Sequence, residues 1–105
     1  MNLKDRTAEQ FSQIPWQRVS EVASQKILDD GEYRLRLLKL SPGFQEAEWC
    51  TRGHVGYIIE GALHIEFEDS QVVYNAGDAL LIRPGKPHKG RTGAGRALVF
   101  VVDEI

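Results

Sequence analysis

Gly77-Asp78-Ala79-Leu80-Leu81-Ile82-Arg83-Pro84-Gly85-Lys86-Pro87-His88 is the stretch on which the reading of the fold turns. The Gly-Asp pair makes a turn. Ala79 to Ile82 is a short apolar run bounded by turn residues and reads as a buried strand. Pro84 to Pro87 is a loop, and it hands the chain to His88. A sheet that ends one strand in this way aims a histidine from the strand end, and the upstream sequence reads as strands arranged to meet it.

Immediately upstream, Gln71 to Tyr74 is a brief strand between two turns. ALHIEFED, residues 62–69, alternates cleanly, with Leu63, Ile65 and Phe67 inward and His64, Glu66 and Glu68 outward. HVGYIIE, residues 54–60, is expected to be its hairpin partner across the Glu60-Gly61 turn. FQEAEWCT, residues 44–51, reads as another strand, with Phe44, Glu46, Glu48 and Cys50 on one face and Gln45, Ala47, Trp49 and Thr51 on the other. Trp49 is thereby expected in core or dimer packing. GEYRLRLLKL, residues 31–40, is a strand ending at Ser41-Pro42-Gly43. Before it, Trp16 to Val22 alternates loosely, Lys26 to Leu28 is a short strand and Asp29-Asp30-Gly31 is a turn.

Downstream, the continuous valines and Phe100 of Arg96 to Val102 predict a strand buried on both faces. The first 13 residues form a polar arm, with one helical turn capped by Thr7 and stopped at Ile14-Pro15. Short strands at roughly 8–12-residue intervals with turns between them predict an all-β sandwich or barrel. Residues 1–32 are the arm and first strands packing on it, and 33–105 the barrel, in one domain.

Thirteen basic and fifteen acidic residues are interspersed and leave a formal charge of -2. A nucleic-acid binder shows a clustered basic face, and none is present. No polybasic or long apolar segment points to a membrane. Neither does the start, MNLKDRTAEQF, carry an apolar signal core, and the one cysteine excludes an internal disulfide. The chain is expected to be cytoplasmic, with Cys50 reduced. A core of this size is modest, so a homodimer is expected.

The order Gly77, DALLI, Arg83, Pro84, Gly85, Lys86, Pro87, His88 resembles the second motif of the cupins, in which the proline usually stands where Arg83 is. Their first motif begins at a Pro-Gly, matched by Pro42-Gly43, and ends at a glycine, matched by Gly61 after Tyr57-Ile58-Ile59-Glu60. Its ligand positions are substituted here. His54 stands where the glutamate is, and Glu48 and Cys50 stand where the two histidines are. The resemblance covers residues 33–102 and implies a double-stranded β-helix, or jelly-roll, barrel. It leaves function broad, because the family includes dioxygenases, isomerases, sugar-binding regulators and members without metal.

The resemblance puts Glu48, Cys50, His54 and His88 together at the barrel lining, and each is a metal-ligand type. Two readings stand open. Glu48, His54 and His88 have the composition of the two-histidine, one-carboxylate triad that holds non-haem iron. With Cys50 as ligand, a thiolate and two imidazoles favour zinc. Manganese and nickel are further options, Glu46 is an alternative carboxylate to Glu48, and a third reading makes Cys50, beside His54, a redox-reactive thiol. In the substrate pocket, Gly56 leaves a space that admits a ligand or permits close packing. Arg83 at the mouth pairs with an anionic substrate group or with an acidic neighbour. The expected function is binding of a divalent metal and a small organic molecule, with dioxygenase- or isomerase-like chemistry. The alternative is a metal-free binding or sensing module.

Overall fold

The computed structural model describes residues 10–104. Thr7 and the proposed cap lie outside them; within them Phe11–Gln13 is a single 3-10 turn. Nine strands follow: β1 (Gln17–Ser20), β2 (Ala23–Asp29), β3 (Tyr33–Leu40), β4 (His54–Glu60), β5 (Ala62–Phe67), β6 (Gln71–Asn75), β7 (Ala79–Ile82), β8 (His88–Arg91) and β9 (Ala97–Glu104). They form a six-stranded sheet in the order β1-β2-β3-β9-β4-β7 and a three-stranded sheet in the order β6-β5-β8, every paired neighbour antiparallel. This is the all-β jelly-roll architecture. No helix among the described residues is long and apolar enough to cross a membrane.

The strand alternation explains where the core lies. Leu40, Ile58, Leu63, Ile65, Leu80, Ile82, Ala97, Val99 and Val101 project from the facing sides of the two sheets and are buried together. On the outer side of the larger sheet, the ring of Phe11 packs edge-on against Phe100 at 6.2 Å, and Lys26 donates to the Phe11 carbonyl at 2.8 Å. The arm thus covers part of that side. β1 and β2 continue the sheet beyond β3, with Leu28 opposite Leu35.

Three local expectations are corrected. β4 and β5 are not a hairpin: β4 pairs with β7 and β9, and β5 pairs with β6 and β8. The chain changes sheets at Gly61, whose φ is +78° and whose added Cβ would lie 1.9 Å from the Arg96 carbonyl oxygen. Only glycine makes that corner. β7 is buried on one face alone, with Leu80 and Ile82 inside and Leu81 59% exposed. β9 likewise alternates buried and half-buried residues, because the arm covers its outer side incompletely.

The third correction bears on the site. Residues 44–51 do not form a strand. They touch β8 through two isolated bridges, Gln45 opposite Arg91 and Cys50 opposite His88. From Gln45 to Cys50 is five steps and from Arg91 to His88 three, so two extra residues must leave the line of pairing. Ala47, Glu48 and Trp49 are accordingly all exposed, and Lys89 lies 4.7 Å over the Trp49 ring. Trp49 is therefore outside the core.

Candidate metal centre and barrel cavity

His88 is the most enclosed polar residue of the site, 1% exposed at the start of β8. The turn that leads to it is tied at both ends. The Gly77 N–H donates to the Ile58 carbonyl and the Gly85 N–H to that of Thr51, both at 2.8 Å. The His88 Nδ1 stands 2.8 Å from the Lys86 carbonyl oxygen. A carbonyl only accepts, so Nδ1 carries the hydrogen and Nε2 keeps its lone pair.

Cys50 is brought to His88 by backbone pairing. Its N–H donates to the His88 carbonyl at 2.8 Å and the His88 N–H returns the bond at 2.9 Å. Directly opposed residues of an antiparallel pair stand on the same face. His54, at the start of β4 opposite Ile82, completes the group, its ring 5.2 Å from that of His88 and nearly perpendicular to it. One ligand atom from each of Cys50, His54 and His88 lies within 4.8 Å of the others.

Two ring nitrogens of these histidines have an unusual standing. His54 Nδ1 and His88 Nε2 are buried side-chain atoms without a hydrogen-bond partner among the described residues. Buried polar atoms are rarely left so, because an unpaired acceptor loses its hydration for nothing. Burial, with His88 as the next contribution, pushes the His54 pKa below the ordinary histidine value. That favours the neutral ring, which is the form that ligates a metal. The donor set of one sulfur and two imidazole nitrogens fits a borderline-soft ion.

The group lines a cavity of about 340 Å³ between the sheets. Leu38, Leu40, Leu63, Ile65, Val99 and Val101 make its apolar wall, and Arg36, Glu46 and Arg52 add polar groups. The structure therefore brings together Cys50, His54 and His88 of the expected ligands, but not Glu48, which the bulge turns outward. The carboxylate that reaches the cavity is Glu46, whose Oε1 accepts the Gly90 N–H at 2.8 Å. Gly56 does not open a pocket: a Cβ there would lie 2.0 Å from the Phe100 carbonyl oxygen, so the glycine permits close packing of β4 on β9. Arg83 is exposed and lines a separate surface depression with Arg52, Pro84 and Glu104. Sequence reasoning missed Arg36 and Asp103, which form an ion pair at 2.7 Å beside the cavity. The inward parity of Arg36 opposite Leu35 and Leu37 was the available signal.

The two-sheet jelly roll, with His88 at its inner wall, is the cupin architecture, and Cys50 is a departure from the usual histidine there. A cupin domain family model matches residues 37–103, and the chain belongs to that family. Among solved structures the fold is similar to KdgF from Halomonas sp., with 20% identity, a TM-score of 0.75 and 87% of each chain covered. It is also similar to the polyketide cyclase RemF from Streptomyces resistomycificus, with 21% identity, a TM-score of 0.79, and 92% of this chain and 78% of that one covered. A sugar phosphate isomerase from Silicibacter pomeroyi matches with 16% identity, a TM-score of 0.74, and 94% and 76% covered. At such identities the likeness is one of fold. No curated protein matches the chain.

Proposed function

We propose that this cupin holds one zinc ion through Cys50, His54 and His88 and receives a small organic molecule in the adjoining cavity. The observation that carries the reading is that Cys50, His54 and His88 each bring a ligand atom within 4.8 Å of the others, while each histidine keeps a buried nitrogen without a partner among the described residues. Three protein ligands of this kind leave a coordination position open. When bound, the ion supplies Lewis-acid polarisation of a guest oxygen or a water.

The protein's own groups prepare that site. The Lys86 carbonyl holds the His88 ring in one tautomer, as outer-shell acceptors do for ligating histidines. The aliphatic wall limits water around the guest and strengthens every polar contact made there. Glu46, held by the Gly90 N–H, is the carboxylate within the cavity that can exchange a proton with a guest. Fold likeness to a cyclase and an isomerase supports small-molecule chemistry as the class, by analogy.

The test is elemental analysis of untagged protein beside His88→Ala and Cys50→Ser. Zinc near one per chain in the parent and its depletion in both variants is the expected result. Iron in place of zinc, unaffected by Cys50→Ser, would return the two-histidine, one-carboxylate reading with Glu46 as its acid. Absence of any metal after reconstitution would establish the second reading, a metal-free binding module, which the predominantly aliphatic lining of the cavity favours.

A further inference from the structure

The polar groups of the cavity extend beyond the cysteine and histidines. Arg36, on β3, lines the same space with 21% of its side chain accessible. Its Nε donates to Asp103 Oδ2 at 2.7 Å, and the Asp103 side chain is only 7% accessible. Among the described residues the guanidinium makes no other hydrogen bond, so its terminal nitrogens carry donors with no protein acceptor. Arginine stays charged throughout the accessible pH range. The side chain is not sealed from water, so an acceptor on a guest would replace solvent at the free edge of the fork.

Sheet register places this fork near the other polar groups. Arg36 is opposite Val101, and Val101 is opposite Gly56, two residues from His54 on β4. Asp103 occupies the Nε side and orients the guanidinium plane, which makes it a positioning residue. Arg52 contributes a second positive charge to the lining, while the carboxylate of Glu46 opposes it. Arg36 with Asp103 and Arg52 with Glu46 offset each other in net charge, so what the cavity offers an anion is the directed free edge of the Arg36 fork.

We propose that Arg36 anchors the anionic end of the guest and that the cavity selects a small monocarboxylate with an apolar body. Two parallel N–H···O bonds join the free edge of the guanidinium to the carboxylate, the geometry that distinguishes arginine from lysine. The apolar body lies against Leu38, Leu40, Leu63 and Val99. The inference rests on the proposed reading of the cavity as a small-molecule site, but not on the metal. A dianion such as phosphate would meet the Glu46 carboxylate and aliphatic walls, and is disfavoured.

Calorimetric titration of the full chain, as isolated and after chelation, with cyclohexanecarboxylate, cyclohexanecarboxamide and inorganic phosphate tests the proposal. The carboxylate should bind in both preparations, at least about tenfold more tightly than the amide or phosphate. Arg36→Gln/Asp103→Asn, which removes both charges together, and Arg36→Lys, which keeps the charge and loses the fork, should each weaken it by about tenfold or more. Equal binding of acid and amide would overturn the anchor and leave the cavity reading standing. Binding of neither would overturn both. Carboxylate binding that vanishes with the chelator or in His88→Ala, yet survives in both Arg36 variants, would place the anion on the metal and overturn the anchor alone.

Discussion

The two halves of the site are built differently. His88 is delivered by a turn, a strand and a loop in which each step is tied to β4 or its approach, at Ile58 and Thr51. Residues 44–50 pair with β8 through two isolated bridges, with a bulge between them. In the first region strand position and His88 placement agree with the local pattern, because β7 and β8 are each in continuous register with a neighbour. In the second, two unpaired residues undo the alternation, so Glu46 and Cys50 face the cavity while Glu48 faces water. A strand pattern reports side-chain direction only where pairing is continuous.

That contrast can be broken or sharpened by substitution, beginning with the strand that leads to His88. Leu80→Ala should destabilise the fold by roughly 2–5 kcal/mol, read from chemical denaturation, because the leucine is 3% exposed within the core. Its neighbour Leu81, 59% exposed, should cost no more than about 0.5 kcal/mol on the same change. Similar costs at both would mean β7 is not alternately buried.

His88→Ala should lower zinc affinity by on the order of 100-fold or more, taking roughly 3 kcal/mol as one ligand's share of a four-ligand zinc site. Competition with a chromophoric chelator measures it. Cys50→Ser should also lower zinc affinity, by about 10–100-fold, since a hydroxyl is a poorer ligand than a thiolate for this ion. Retention of full affinity would show that the bridge to His88 places the sulfur near the metal without engaging it.

Glu48→Ala should have the smallest effect, within about twofold in zinc affinity and about 0.5 kcal/mol in stability, as an exposed side chain on a bulge. A loss comparable with that of His88→Ala would mean that the segment repairs its pairing and swings Glu48 inward when metal is present. The paired measurement on Glu46→Gln then discriminates, because Glu46 reaches the cavity from the same segment.

Most strands were legible because strand periodicity and turn chemistry are short-range: the alternation of residues 62–67, the Ser41-Pro42-Gly43 stop and the Gly77-Asp78 turn each lie within a few positions. The cupin frame was legible for the same reason, being a spacing of glycines and one histidine. Partnership between strands was not. Whether Gly61 closes a hairpin or turns a corner depends on Arg96, thirty-five positions away, whose carbonyl approaches it (96 less 61).

The sequence by itself determined an all-β chain, the turns between most of its strands, and His88 as the residue delivered by the second motif. The resemblance grouped Glu48, Cys50 and His54 with His88; tertiary structure decided that Cys50 and His54 meet it and Glu48 does not, that Gly56 packs on a backbone and that Arg36 and Asp103 pair at the cavity. The physical reason is that a side chain's direction follows from local backbone geometry, whereas its neighbours follow from register between distant strands, and one bulge is enough to shift that register.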